Sequence, residues 1–385
     1  MIYSLIITIT AILLVLYKLS QYKQEFYIDA IFILFWLVFS VEYYTTVDYV
    51  VYTNGFDSLE EQANWEPLYR LLVTIFQPLG FQALVSATAA FEMFTLCFMM
   101  KRLCPRNFIW FGIILMLINF DFMVMMNVKR QFLAMCVVLW VVWFFLFSKR
   151  KHHTHIAVGL FIVALLTHTS SFIAVFLFPL CRIKTRIGKW GSIVMLGLYF
   201  ITMTLSLMGF MKIAGMALSM LSRSSYTDYY SAYVDYQLEG NEFEFVKTTA
   251  ALILSLFSYC ILLYCCNKVN QKQYPLLLSS ITAILFGNFL TGDLWRLMLY
   301  YSMFNYIAYP IVLAYLWKRR AELVVYAFIG LNLLYWGRIC VRTLNGKDLN
   351  NVNYKYGKFY TIFDNNPDIS TYHQTDFDST AEDRL

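Results

Sequence analysis

The chain has 385 residues, of which 60% are hydrophobic and only 14% are charged, and its formal net charge is +6. About a quarter of the residues in an average soluble domain are charged, so this chain lacks the polar side chains needed to cover a surface in water. The composition therefore excludes a soluble globular domain. No basic-aromatic module accompanies the positive charge, which argues against nucleic-acid binding and fits loops that face anionic lipid.

The apolar residues lie in long blocks that are nearly free of charge. Several blocks approach the roughly 20 residues with which a helix crosses a hydrocarbon core, and each must be helical because lipid cannot hydrogen-bond the backbone. The blocks are, in chain order, Met1–Tyr17, Ile28–Val41, Phe81–Met100, Phe108–Met126, Phe132–Phe147, Ile193–Phe210, Thr248–Cys266, Pro275–Leu290, Leu297–Trp317 and Leu323–Trp336. They predict an all-α, polytopic transmembrane helical bundle that interacts with membrane lipids.

The first block, Met1–Tyr17, does not have the pattern of a secretory signal peptide, because no basic residue precedes it and no small-residue cleavage site follows it. Lys18 and Lys23 come after the block, and the positive-inside rule then puts Met1 outside the cell membrane. The same rule marks the later basic loops as cytoplasmic. These loops are Lys101-Arg102, Lys149-Arg150-Lys151, Arg182–Lys189, Lys268 with Lys272, and Lys318-Arg319-Arg320.

Two hydrophilic stretches are expected to face outward. Thr45–Glu66 contains no Lys or Arg, and Lys212–Phe245 is rich in acids and tyrosines. Residues 45–66 and 212–245 are therefore predicted as outward loops of one transmembrane domain over residues 1–337. The remaining residues, 338–385, form a polar tail with charges of both signs, and the side of the membrane on which this tail lies is left open.

The apolar stretch His155–Leu180 lies between two basic clusters that should both be cytoplasmic. Either it consists of two short helices that meet at His168-Thr169-Ser170-Ser171, or one basic cluster is misplaced. We favour the broken pair, because a polar interruption at membrane depth is tolerated where it lines a cavity. That choice predicts about 11–12 crossings or half-crossings, with both termini outside.

The sequence predicts no disulfide framework, metal cluster or cofactor. All eight cysteines lie in or beside apolar segments, without the spacing of metal ligands. His152, His153 and His155 could ligate a metal ion, but they follow Lys149–Lys151, so a solvated cytoplasmic loop is the better interpretation.

Polar residues in an apolar chain are the best guide to function, because they are expensive in a membrane. Lys129 and Arg130 lie between two long apolar blocks, on the side predicted to face outward. They could snorkel to headgroups, or they could bind a phosphorylated substrate, since the Arg fork matches phosphate oxygens. Arg296 begins a helix and could bind phosphate or pair with Asp293 at i, i+3. Arg70 is a further candidate for substrate binding.

Three residues are candidates for the catalytic base. Glu66 precedes Pro67 and could instead stabilise a helix N-terminus. His168 has hydroxyl neighbours and could equally be a hydrogen-bonded structural residue. Asp48 could be a solvated loop acid, a general base, or a sugar-binding carboxylate with Tyr49 and Tyr52 as stacking platforms.

These residues carry a resemblance to one family. The matching motifs, in the order and approximate spacing of the EpsG family, are Asp48-Tyr49 with Tyr52, Glu66-Pro67-Leu68-Tyr69, Asn127 through Arg130-Gln131, and His168-Thr169-Ser170. Trp295-Arg296 with Tyr300-Tyr301 and the Tyr- and Asn-rich tail are also similar. The family comprises Wzy-like polymerases of exopolysaccharides and capsules.

The resemblance implies a GT-C-like glycosyltransferase of the bacterial inner membrane that joins undecaprenyl-diphosphate-linked oligosaccharides on the periplasmic side. Its partners would be the lipid-linked donor and acceptor, with a flippase and a chain-length regulator as further candidates. Arg130, Lys129 and Arg296 would stabilise the leaving diphosphate without a metal, and His168, Asp48 or Glu66 would accept the acceptor's proton. A flippase or transporter of lipid-linked sugars, a polysaccharide ligase and a membrane O-acyltransferase are the alternatives.

Overall fold

In the computed structural model of the chain, the described residues are 2–43, 47–58, 62, 65–119, 121–207, 249–289, 295–344 and 362–363. The regular structure within these ranges is entirely helical, which confirms the predicted all-α class. The chain divides into two compact units, one formed by Met1–Phe172 with Asn332–Leu385 and the other by Ile173–Leu331.

The first unit contains most of the predicted site residues. Its helices are α1 (Ile2–Leu19), α2 (Phe26–Ser40), α3 (Val47–Asp57), α4 (Pro67–Phe76), α5 (Phe81–Leu103), α6 (Ile109–Ile118), α7 (Asp121–Asn127), α8 (Lys129–Leu146) and α9 (His153–Thr167), with a short 3-10 helix at Gln77–Leu79. After α9 the chain continues as a 3-10 helix over Thr169–Phe176.

The second unit contains further apolar helices. They are α10 (Leu177–Arg182), α11 (Lys189–Leu207), α12 (Thr249–Cys266), α13 (Tyr274–Phe289), α14 (Trp295–Ser302) and α15 (Asn305–Lys318). The last described helix, α16 (Glu322–Leu344), continues from the second unit into the residues of the first. Within the second unit, α13 packs against α11, α12 and α14, and the Tyr259 hydroxyl donates to the Met195 carbonyl at 2.8 Å.

Several helices have the length and apolar composition of membrane spans. In the described part of the chain these are Ile2–Leu19, Phe81–Leu103, Lys129–Leu146, Arg296–Lys318 and Glu322–Val341, and α6 with α7 adds a sixth if the bent pair is one span. Shorter apolar helices accompany them, among them α2, α9 and α13. The chain is therefore a multi-pass membrane protein, while the number of crossings and their orientation stay predictions.

The predicted break in His155–Leu180 is confirmed. α9 ends at Thr167, and His168 adopts an extended conformation with φ −156° and ψ 122° before the 3-10 helix begins. Part of the predicted outward loop 45–66 is helical, because α3 occupies Val47–Asp57. Residues 212–245 lie outside the described residues, and α16 extends to Leu344, into the stretch predicted as a polar tail.

The helix α8 is the central helix of the first unit. It packs against α5 and α9, and its residues are buried almost continuously from Gln131 to Val142. Association of helices in lipid depends on close packing and hydrogen bonds, since lipid chains are as apolar as the side chains. One such bond joins α8 to α5, where the Trp140 indole N–H donates to Thr95 Oγ1 at 3.0 Å. The burial of α8 places its first turn inside the protein.

Candidate active site

A group of polar side chains collects in the first unit where several helices begin or end. We call this group the polar cluster; its members are Glu42, Asp48, Glu66, Asn127, Lys129, Arg130 and His168. Asp48 lies in the first turn of α3, Asn127 ends α7, and His168 follows α9. Backbone groups at helix ends lack intrahelical partners, so these ends are where polar side chains can be accommodated within an apolar protein.

Glu66 links two of the predicted functional residues. Its Oε2 accepts a hydrogen bond from Arg130 Nη1 at 2.8 Å, and its Oε1 lies 2.7 Å from His168 Nδ1. The Thr169 backbone N–H also donates to Oε1, at 3.0 Å. Glu66 occupies the N-cap position of α4 before Pro67, but it makes no capping hydrogen bond. The predicted alternative, in which Glu66 caps a helix, is therefore not how its carboxylate is used.

The surroundings of Glu66 keep it ionised. Burial alone would raise the pKa of this carboxyl, but the hydrogen bond and charge of His168, followed by the charge of Arg130, lower the pKa to about 2. An ionised carboxylate can only accept hydrogen bonds, so His168 Nδ1 must be the donor between them. When the ring is neutral, that tautomer leaves Nε2 as an acceptor, and within the described residues Nε2 has no hydrogen-bond partner.

Arg130 lies in an aromatic box. The rings of Trp65, Tyr52 and Tyr69 have their centroids 5.4, 5.6 and 5.9 Å from its guanidinium carbon. The negative faces of aromatic rings attract a cation, and a planar guanidinium also stacks on them. The box and Glu66 together hold Arg130 within the protein, with 19% of its side chain exposed. These contacts favour an internal role for Arg130 over snorkelling to headgroups.

A glycine makes the box possible. A Cβ built on Gly55, in α3, would lie only 2.2 Å from Cζ2 of Trp65. Only glycine therefore lets the indole approach α3 closely enough to cover the guanidinium. The same rings continue into an apolar core that joins α3, α4, α5 and α8 through Phe56, Val73, Leu84 and Leu133.

Lys129 has a different environment from Arg130. Its ammonium forms an ion pair with Glu42, whose side chain is fully buried, and it lies 5.6 Å from the centroid of the Tyr49 ring. The Tyr49 hydroxyl in turn donates to Gln82 Oε1 at 3.2 Å. Tyr49 and Tyr52 are both buried with their faces near cations, so the predicted role of these rings as sugar-stacking platforms does not fit this arrangement.

Asp48 and Asn127 form a reciprocal pair. The Asn127 side chain donates to Asp48 Oδ2 at 3.0 Å, and the Asp48 backbone N–H donates to Asn127 Oδ1 at 2.9 Å. The pair joins the start of α3 to the end of α7. Asp48 also acts electrostatically on Tyr52, whose pKa is raised to about 12 by burial and then by the Asp48 charge, against the effect of Arg130. Asp48 is thus held in the polar cluster as a neighbour of the aromatic box.

Two cations that the sequence predicts as substrate ligands, Arg70 and Arg296, are not members of the polar cluster. The Arg70 side chain is exposed on α4 and forms no ion pair with the described residues. Arg296 belongs to the second unit, at the start of α14, and its predicted partner Asp293 lies outside the described residues. The described residues contain no group of three or more His, Cys, Asp or Glu side chains arranged to hold a metal ion.

Sequence reasoning missed four residues that shape the cluster: Glu42, Trp65, Tyr69 and Asn127. Tyr69 and Asn127 belong to the motifs that carry the family resemblance, so the motifs contained a usable signal. Glu42 follows an apolar block, and an acid at that position is costly unless it is paired. Trp65 offered no comparable signal, since aromatic residues are abundant throughout the chain.

Comparison with known protein families shows the family of the chain. The model of the EpsG family matches residues 25–356, which include every member of the polar cluster. The chain therefore belongs to the EpsG family. Membership makes it a membrane protein of the polysaccharide-polymerase type, broadly of glycosyltransferase character. No curated protein and no solved structure matches the chain.

Proposed function

We propose that the protein is a Wzy-type polysaccharide polymerase of the bacterial inner membrane. It joins oligosaccharide repeat units carried on undecaprenyl diphosphate, on the periplasmic side. The observation that carries the proposal is the sharing of one carboxylate, Glu66, between a histidine and a buried arginine. Such a site offers a proton acceptor beside a cation, which is what transfer of a glycosyl group from a lipid diphosphate requires.

The reaction is a single displacement at the anomeric carbon. A hydroxyl oxygen of the acceptor attacks this carbon, and the bond between the carbon and the diphosphate oxygen breaks, so the configuration inverts. His168 Nε2 accepts the hydroxyl proton, while Nδ1 keeps its hydrogen bond to Glu66. Arg130 stabilises the negative charge that develops on the departing diphosphate.

The remaining candidates have supporting roles. Glu66 is a positioning residue, because it fixes the tautomer and orientation of His168. Asp48 holds α3 through Asn127 and so supports the aromatic box. Arg70 is proposed as a further contact for the diphosphate, and we propose a flippase and a chain-length regulator as protein partners.

We also propose that the reaction does not need a divalent metal, since Arg130 supplies positive charge to the leaving group. An Asp-x-Asp sequence, which metal-dependent sugar transferases often use, occurs at Asp376-Phe377-Asp378 in the tail, outside the described residues. Chelation tests this part of the proposal. Turnover that is lost in EDTA and restored by Mg²⁺ or Mn²⁺ would contradict it.

The deciding experiment is incubation of the purified protein, in lipid nanodiscs, with its lipid-linked repeat unit. We expect a ladder of products that each differ by one repeat unit, and no ladder from His168→Gln at the same protein level. If the same protein, reconstituted into sealed vesicles, moves the substrate across the membrane without lengthening it, the protein is instead a flippase. Transfer to an acceptor that carries no lipid diphosphate, again without a ladder, would indicate a ligase.

A further inference from the structure

Lys129 and Arg130 are adjacent in the first turn of α8, yet the protein holds them in different ways. Successive residues of an α-helix point about 100° apart, so the two cations meet different partners. Lys129 pairs with Glu42, which has no exposed surface. Arg130 pairs with Glu66, a carboxylate that it shares with His168 and that is partly exposed. The two residues are therefore not a matched pair of substrate ligands.

The contacts of Lys129 form a closed ring. Its ammonium contacts Glu42 and lies over the Tyr49 ring, and the Tyr49 hydroxyl donates to the Gln82 side-chain oxygen. The amide nitrogen of Gln82 donates to the carbonyl oxygen of Ser40, the last residue of α2, and, at 3.2 Å, to that of Glu42, two residues further on. The ring ties together α2, α3, α5 and α8. It leaves the Lys129 ammonium with internal partners.

The start of α8 needs such an anchor. Val128, which precedes it, has φ −89° and ψ 50°, and no side chain caps the helix. Two cations in the first turn also oppose the helix dipole, whose positive end lies there. A buried carboxylate beside Lys129 compensates for this charge. Because Arg130 is the next residue, whatever fixes Lys129 also fixes the backbone from which the guanidinium extends.

We propose that Glu42 and Lys129 are positioning residues, whose buried ion pair fixes the first turn of α8 and thereby places Arg130 in the site. Lys129 does not contact the substrate. This role differs from the phosphate-binding role expected from the sequence, and Glu42 is a residue that the sequence did not indicate. The inference rests on the proposed function of Arg130 as the group that stabilises the diphosphate.

Substitutions that remove the charges singly and together distinguish the two roles of Lys129. Glu42→Gln and Lys129→Met each leave one buried charge without its partner, and we expect each to lower kcat about 100-fold, the typical effect of displacing a catalytic group by ~1 Å. We expect the KM for the lipid-linked substrate to change less than about threefold. The double variant removes both charges, and its kcat should return to within about tenfold of the wild type.

Direct substrate binding by Lys129 predicts the opposite pattern. The double variant would then be as inactive as Lys129→Met, and Glu42→Gln would free the ammonium and lower KM. Either result overturns the proposal. If a single variant does not accumulate in the membrane, the double variant decides alone, since it must be both inserted and active.

Thermal unfolding in detergent gives a readout that does not depend on the reaction. Both single variants should unfold at lower temperature than the double variant. If this order of Tm values holds but the wild type forms no ladder of products, the proposed function is wrong while the stabilising role of the Glu42–Lys129 ion pair is supported. The reverse order of Tm values would overturn that role of the ion pair. Lys101→Met is the matched control, because its pair with Asp29 lies at the opposite end of α2 and is partly exposed. We expect its kcat to stay within about threefold of the wild type.

Discussion

Replacing Glu66 by glutamine tests the central link of the site. The substitution keeps the length of the side chain but removes the charge that Arg130 and His168 share. A glutamine that turns its NH₂ group towards His168 donates to Nδ1 and gives up the bond that Oε1 accepts from the Thr169 N–H, and the imidazole proton then lies on Nε2. In that tautomer Nε2 no longer accepts a proton. The perturbation therefore acts on the proton acceptor rather than on folding alone.

The expected loss follows from this geometry. General base catalysis contributes about 10²–10⁴ in rate, so Glu66→Gln should lower kcat by at least about 100-fold. Glu66→Asp keeps the charge but shortens the reach to Nδ1, now 2.7 Å, and should give an intermediate rate. The assay is single-turnover extension of a lipid-linked repeat unit by protein of matched purity. Since Glu66 acts through His168, the double variant Glu66→Gln with His168→Gln should be no slower than His168→Gln. A Glu66→Gln enzyme within threefold of the wild type would refute this reasoning.

Three further predictions concern the same cluster. Arg130→Ala should lower the yield of polymer about 10²–10³-fold while the protein inserts into the membrane at its normal level. Arg130→Lys should recover little of this yield if the planar guanidinium binds the diphosphate. A normal ladder from the alanine variant at matched expression would show that Arg130 does not belong to the site. Gly55→Ala should displace Trp65, lower Tm by several degrees and reduce kcat about tenfold. Gly159→Ala, with open space around its Cβ inside α9, is the control that should lower neither Tm nor kcat. An unchanged Gly55→Ala protein would mean that the box does not hold the guanidinium. The folded-state pKa of Glu66, about 2, lies below its ordinary value of 4.5. The Tm advantage of the wild type over Glu66→Gln should therefore be full above pH 5 and should vanish as the pH falls towards 2. A Tm advantage that does not depend on pH would contradict the lowered pKa.

Most helix positions could be predicted from the sequence, because a membrane segment must be both apolar and helical. The block Phe81–Met100, for example, corresponds to α5 with few differences at its ends. The breaks within two other blocks were not predicted. Phe108–Met126 divides into α6 and α7 beside Asn119 and Asp121, and Leu297–Trp317 divides into α14 and α15 between Ser302 and Asn305. Isolated polar residues do not by themselves indicate a break, because unbroken helices contain them too, as α5 contains Glu92. The His168 break was predictable because polar residues interrupt the apolar pattern there.

The residues of the site could be predicted better than their contacts. Charged residues are rare in this chain, so Glu66, Lys129 and Arg130 could be identified as candidates from their position between apolar blocks. The partner of Lys129, however, lies 87 residues earlier in the chain, and no local pattern relates the two. The contact of Tyr52 with the Arg130 guanidinium was not predicted either, because packing alone determines which face of a ring is covered.

The pairing of Arg130 with an internal carboxylate has a consequence for substrate binding. A buried arginine without a partner would be costly, so Glu66 occupies part of the guanidinium fork when no substrate is bound. The diphosphate must compete with Glu66 Oε2 for Nη1, while Oε1 can keep its bonds to His168 and Thr169. Glu66→Gln weakens this competition because the amide carries no charge. We therefore expect this variant to bind undecaprenyl diphosphate about tenfold more tightly than the wild type, a gain of about 1.4 kcal/mol, although its kcat is lower. Displacement of a fluorescent lipid diphosphate from protein in nanodiscs measures the affinity, with Arg130→Ala as the control that should bind weakly. Equal or weaker binding by Glu66→Gln would show that the carboxylate and the diphosphate do not share Arg130.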